Sequence, residues 1–213
     1  MAQSADIQAY AAAHTTPFSS PIAAAAEGTL RHRSDRAGMM AGLIEGQLIS
    51  ALVAIANAHN VLEIGTFTGV GTLALAAGLR DGGQVTTLEL DPDTAAVARD
   101  HIEASPWAGR INLLVGDARH TLVTLPGPFD LVWLDAAKAE YPEYWDAVRT
   151  KIAPGGMVAA DNVLLGGRVT DAGDTSPEVI GVRAFNDRVH ADPEFDNLLL
   201  DIGDGVLLAW RRG

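Results

Sequence analysis

The sequence predicts an α/β fold: a doubly wound, mostly parallel seven-stranded sheet with an antiparallel C-terminal strand and extra N-terminal helices. Three observations predict it. From Val61 to Ala160, apolar runs of four to six residues alternate with helical stretches, the signature of a parallel sheet covered on both faces. The first run leads into a glycine-rich turn at residues 65–71, where such sheets bind ligands. The last two runs flank Gly203-Asp204-Gly205, a tight-turn signal that makes them an antiparallel hairpin.

The first 58 residues are Ala-rich and lack strand signals, and Ala5–His14, Pro21–Arg33 and Ala41–Ala56 read as three helices. Pro21 suits a first helical turn. Leu43, Ile44, Leu48, Leu52 and Ile55 recur at helical spacing and predict a buried stripe. Strands follow at Val61–Ile64, Gln84–Leu90, Ile111–Val115, Phe129–Leu134 and Gly156–Ala160. Helices at Gly71–Arg80, Pro92–Ala104, Ala118–Leu125 and Tyr141–Ile152 separate them. Helix Pro177–His190 precedes the closing strands Phe195–Ile202 and Val206–Trp210. No repeat or long linker divides the 213 residues, so residues 1–213 are expected to form a single domain, with residues 1–58 shaping an acceptor pocket or a dimer contact.

Composition excludes several classes. The absence of cysteine removes disulfides, thiolate metal sites and cysteine nucleophiles. The net charge of −12 argues against a nucleic-acid partner, which needs a basic face. The densest basic stretch, Arg31, Arg33 and Arg36, is broken by Asp35 and reads as a solvated helix face. No apolar run is long enough for a membrane span, and no basic segment followed by an apolar core opens the chain. Cytoplasm is therefore the expected location. No Gly-x-Ser-x-Gly elbow supports a serine hydrolase.

The loop after the first strand reads V-L-E-I-G-T-F-T-G-V-G, Val61 to Gly71. Glu89, at the end of the second strand, is placed to accept hydrogen bonds from ribose hydroxyls. From Gly65 the spacing is G-x-x-x-G-x-G rather than the dinucleotide G-x-G-x-x-G. Glu63 puts a carboxylate inside the strand end, which disfavours a pyrophosphate and welcomes an ammonium group. S-adenosylmethionine carries both a ribose and a cationic methionine end. The alternative is that Glu63 is a buried, capped acid and the glycines only turn the chain.

The fourth strand ends in W-L-D-A-A-K, residues 133–138, and the fifth in A-A-D-N, residues 159–162. Neighbouring parallel strands bring Asp135, Asp161 and Asn162 to one rim with Glu63 and Glu89. Two carboxylates and an amide oxygen form a hard donor set suited to Mg²⁺, Mn²⁺ or Ca²⁺ rather than zinc; ordinary loop capping would use the same residue types. Lys138, three residues past Asp135, faces the same cleft if a helix begins there. It is then a candidate base for a phenolic proton, or else a solvated helix-start lysine. His14 and His32, in the N-terminal region, could reach a substrate. Trp133 and Trp145 read as core and rim packing.

Taken together, these pieces resemble the cation-dependent class I O-methyltransferases, of catechol and caffeoyl-CoA type, over nearly the whole chain from about Gly38. The matching segments are E-G-Q at 45–47, L-E-I-G-T-F-T-G at 62–69, L-E-L-D at 88–91, G-D-A at 116–118, L-D-A-A-K-A-E-Y at 134–141, P-G-G at 154–156, A-D-N-V at 160–163 and the G-D-G turn. The resemblance implies a methyl transfer from S-adenosylmethionine to a hydroxyl of a small catechol-like acceptor, with a divalent cation, Mg²⁺ first, and a homodimer. It implies that Glu63, Gly65 and Thr66 line the methionine end of the cofactor and that Ala41, Gly71 and Asp135 also belong to the cofactor site. Glu89 would then hold the ribose and Ala118 the adenine edge. Asp135, Asp161 and Asn162 would be the metal ligands and Lys138 the catalytic base. Two positions depart from the pattern. Ala137 replaces an acid found in many relatives, which the animal catechol enzyme also lacks. Gly71 stands where relatives often carry a serine that contacts the cofactor carboxylate. A tRNA hydroxyuridine O-methyltransferase on the same scaffold and an NAD-binding oxidoreductase are the alternatives.

Overall fold

A computed structural model of the protein describes residues 5–213. Three helices come first: α1 (Ala5–Ala13), α2 (Ser20–His32) and α3 (Leu43–Ile55), with a 3₁₀ segment, Ser34–Met39, between the last two. Then β1 (Asn60–Ile64), α4 (Val70–Gly78), β2 (Gln84–Glu89), α5 (Pro92–Glu103), β3 (Ile111–Val115), α6 (Ala118–Thr124), β4 (Phe129–Leu134), α7 (Tyr141–Val148) and β5 (Ile152–Asp161) alternate. Helix α8 (Pro177–Ala191) and the hairpin β6 (Phe195–Leu200) and β7 (Val206–Arg211) close the chain.

The seven strands lie in the order β3-β2-β1-β4-β5-β7-β6. The first five are mutually parallel, and β7 runs antiparallel to both β5 and β6. The order reverses between β1 and β4, so the crevice beyond their carboxyl ends is the switch point where a ligand belongs. Alternation along each strand builds one core on each face. Leu62, Ile64, Val132 and Leu134 pack with Tyr141, Trp145 and Phe185 of α7 and α8. Val61, Val85, Leu131 and Trp133 pack with Ile49, Val53 and Leu73 of α3 and α4. No described helix is long and apolar enough to cross a membrane.

Four local expectations are corrected. Helix α3 buries Gly46, Ile49 and Val53, whereas Ile44 and Ile55 are exposed, Ile55 at 82%. Gly46 explains the choice of face, because a Cβ there would lie 2.6 Å from the Phe18 ring. Strand β5 begins at Ile152, which pairs with Phe129 before a register shift brings Met157 opposite Leu131. The Pro-Gly-Gly segment is thus an irregularity inside the strand rather than its start. Helix α7 ends at Val148 and a 3₁₀ turn, Arg149–Lys151, completes the expected helical stretch. Strand β3 is an edge strand with Val115 exposed, not apolar-buried on both faces.

Candidate active site

A cavity of about 670 Å³ opens at the carboxyl ends of β1, β2, β4 and β5. It is lined by Ala41, Glu63, Gly65, Thr66, Gly71, Glu89, Ala118, Asp135, Lys138, Asp161 and Asn162 among others. The expected site residues therefore meet at one place. His14 stacks on Tyr10 and His32 lines a separate groove between α2 and α5, so neither faces this cavity. Trp133 is a buried part of its floor, and Trp145 lies in the core between Phe185 and Phe195.

The loop after β1 needs its glycine. Gly65 has φ +103°, and a Cβ there would collide with the carbonyl oxygen of Asp135. The backbone N–H of Asp135 in turn donates to the Ile64 carbonyl at 2.9 Å, locking the β1 and β4 ends together. Glu89 is held by two backbone donors: Phe67 N–H reaches its Oε2 at 2.8 Å and Asp91 N–H its Oε1 at 3.0 Å. Burial nevertheless raises its carboxyl above the usual range. Ala118 starts α6, behind the Asp117 side chain that caps it.

Glu63 is the most confined carboxylate. It shares the β1 face of Val61 and stands beside Thr87 in register. Thr72 of α4 and Thr87 both donate to its Oε2, Thr87 at 2.5 Å, and Thr66 extends the chain by 2.5 Å to Thr87. Its Oε1 stands 3.0 Å from where a Gly71 Cβ would lie, so a larger residue at 71 would crowd the carboxylate. Burial pushes the Glu63 carboxyl up to about 8, against the lowering effect of the two threonine hydroxyls. Among the described residues no Lys, Arg or His forms an ion pair with it.

At the other end of the cavity, carboxylate oxygens of Glu45, Asp135 and Asp161 lie within 4.8 Å of one another. Asp135 and Asp161 come from the ends of β4 and β5. Glu45 arrives from the first turn of α3, where it also accepts from the Gly42 N–H at 3.3 Å. Burial first, and then the negative charges of Asp161 and Asp135, raise the Glu45 carboxyl, and burial and then Asp135 raise that of Asp161. Asn162, with φ +55°, lines the same wall. Lys138 Nζ donates to Asp135 Oδ1 at 2.6 Å and to Tyr141 Oη at 2.7 Å. The buried Tyr141 hydroxyl lies 3.1 Å from the Leu134 carbonyl and 3.0 Å from that of Asp161, tying the two strand ends together.

Within the basic stretch Arg31 and Arg36 are exposed, as a solvated face would have them, but Arg33 is not. Arg33, 15% exposed at its side chain, donates to Thr94 and lies 3.7 Å from Asp91 Oδ2. Arg36 lies 4.0 Å from the same oxygen and lines the cavity. These two arginines clip the 3₁₀ segment over the end of β2. Sequence reasoning also gave Glu45 no chemical role, though it lies in the matched E-G-Q segment, and gave none to Thr72, Thr87 or Tyr141.

A doubly wound sheet with this loop and this acidic rim has the form of the Rossmann-like methyltransferases. A family model described as O-methyltransferase matches residues 19–212, and the chain belongs to that family. A catechol O-methyltransferase of Niastella koreensis is 35% identical over 174 residues, covering 78% of this chain and 79% of that protein. Among solved structures, the Bacillus cereus O-methyltransferase in complex with SAH gives a TM-score of 0.90 at 29% identity, covering 97% of each chain. The O-methyltransferase TomG of Streptomyces achromogenes, in complex with SAM, gives 0.89 at 28%, covering 98% of this chain and 96% of that one. The protein is an S-adenosylmethionine-dependent O-methyltransferase.

Proposed function

We propose that the protein transfers the methyl group to one hydroxyl of a vicinal diphenol and that it needs a divalent cation to do so. The observation that carries this reading is the convergence of Glu45, Asp135 and Asp161 oxygens within 4.8 Å beside Lys138. Ionising all three acids together in a partly buried cluster is unfavourable, and a hard cation offsets that cost. The donors fit Mg²⁺, Mn²⁺ or Ca²⁺: all are oxygen, with no cysteine in the chain. Asp135, Asp161 and Asn162 would hold the ion, with Glu45 as a further carboxylate. When bound, S-adenosylmethionine supplies an electrophilic methyl group and the cation acidifies paired acceptor oxygens.

The chain's own groups then divide the work. Glu63, with no cationic partner among the described residues, receives the cofactor's ammonium end, flanked by Ala41, Gly65, Thr66, Gly71 and Asp135. Glu89, already fixed by two N–H donors, takes the ribose, and Ala118 borders the adenine. Lys138, which bonds Asp135 and Tyr141, would as its neutral amine accept the acceptor's hydroxyl proton. Positioning of the two reactants supplies much of the acceleration. The whole chain acts as one domain, its N-terminal helices closing the acceptor side, and it works as a homodimer in keeping with the family resemblance.

The test is a methyl-transfer screen over diphenols, hydroxycinnamoyl thioesters and bulk tRNA, with Mg²⁺ and with EDTA. The expected result is turnover of diphenols that EDTA abolishes and Mg²⁺ restores. Methylation of tRNA alone, or diphenol turnover indifferent to chelation, would overturn the proposal. The net charge of −12 already weighs against tRNA.

A further inference from the structure

The Gly203-Asp204-Gly205 turn does more than join β6 to β7. It packs against the loop that follows β5, and that loop is unusually constrained. Within residues 162–167, Asn162 (φ +55°), Leu165 (+47°), Gly166 (+62°) and Gly167 (+86°) all occupy left-handed backbone conformations. Leucine rarely adopts this region without external support. The turn supplies that support. Val163 N–H donates to the Gly205 carbonyl at 3.1 Å and Leu164 N–H to the Asp204 carbonyl at 2.9 Å. The Gly166 N–H donates to Asp204 Oδ1. Gly205, at φ +89°, must remain glycine, because a Cβ there would collide with the Leu164 side chain. From the other side, Asn186 of α8 donates to the Val163 carbonyl at 3.1 Å. The distal part of the loop is fastened separately, by Arg183 donating to the Val169 carbonyl at 2.9 Å and the Asp174 carbonyl at 2.9 Å.

Both Leu165 and Asp204 line the cavity near Asp161 and Asn162. Leu165 also packs against the core shared by α7 and α8. We infer that Asp204 is a positioning residue: by holding the Gly166 N–H it fixes Leu165 as one wall of the acceptor end, and so sets acceptor affinity and which of two adjacent hydroxyls meets the methyl group. The inference rests on the diphenol reading for its kinetic part, while the anchoring itself is independent of the acceptor. A charged acceptor of a backbone N–H is among the stronger hydrogen bonds, and no other side chain is described as bonding that amide.

The test compares Asp204→Ala with Asp204→Asn, whose amide oxygen still accepts the Gly166 N–H. For Asp204→Ala we expect the Gly166 amide to exchange hydrogen about ten-fold faster by NMR, with acceptor KM raised about ten-fold. The ratio of the two methylated regioisomers should shift, and cofactor Kd should stay within about two-fold. Asp204→Asn should restore exchange, KM and regioisomer ratio together. Unchanged Gly166 exchange in Asp204→Ala would overturn the inference. So would an Asp204→Asn protein as impaired as Asp204→Ala, because charge rather than anchoring would then be the cause. If the wild type methylates no diphenol, the diphenol reading falls and the Gly166 exchange rates still decide the anchoring.

Discussion

Replacing Glu63 by glutamine separates the electrostatic cost of this carboxylate from its shape. Glu63 is 1% exposed, and burial moves its carboxyl from 4.5 to about 8. Below about pH 4.5 the group is protonated in both folded and unfolded chains, and its contribution to folding is intact. As pH rises toward 8 the unfolded chain ionises while the folded chain keeps its proton, so stability is progressively lost. At about 1.4 kcal/mol per decade the full loss is on the order of 4–5 kcal/mol. Glutamine does not titrate, and its carbonyl oxygen can still accept from Thr72 and Thr87. The stability of Glu63→Gln relative to wild type should therefore be near zero at about pH 5 and rise by about 3–4 kcal/mol by about pH 8. Urea unfolding of both proteins at the two pH values, free of cofactor and with EDTA, measures this difference; titrations common to both chains cancel. A difference that stays flat between the two pH values refutes the assignment of Glu63 as a buried acid without a cationic partner.

Two further perturbations test how the site is mounted. Gly78→Ala places a methyl against the Ser50 carbonyl oxygen and 2.9 Å from Val53 Cβ, where α4 crosses α3. The added volume outweighs the better helix propensity, and stability should fall by about 2 kcal/mol, a drop in Tm of several degrees; an unchanged thermal transition would show that the crossing is loose. Arg33→Ala removes the bond to Thr94 and the nearby charge opposite Asp91, so cofactor Kd by calorimetry should weaken about three- to ten-fold. An unaltered Kd would mean that the 3₁₀ segment does not cover the cofactor.

The parts of the site that were legible in the sequence are those written locally. Gly65, Glu89, Asp135 and Asp161 each sit where a strand meets its loop, and strand order follows from the α/β alternation, so their meeting follows too. Glu45 has no such signal: it is brought in by a helix about ninety residues before Asp135, and only the packing of α3 on α4 carries it to the rim. Arg33 reads as solvated because its partners, Asp91 and Thr94, lie on an element whose position the arginine stretch does not reveal. The α3 stripe was misread for a steric reason. Periodicity pointed to the face of Leu43, Ile44, Leu48, Leu52 and Ile55, and the glycine at 46, which admits the Phe18 ring, turns the neighbouring face inward instead. The fifth strand reads as starting at Gly156, yet β4 already pairs with Ile152 ahead of the Pro154–Gly156 segment.

The central claim is that one cavity holds two functions side by side, a cofactor end built on β1 and β2 and an acidic, cation-binding end built on α3, β4 and β5. Asp161→Ala tests it most directly when methyl transfer and cofactor binding are measured on the same preparation. The account predicts methyl transfer reduced at least about a thousand-fold, with cofactor Kd within about two-fold of wild type. Loss of cofactor binding together with activity, or activity retained without Asp161, would contradict it.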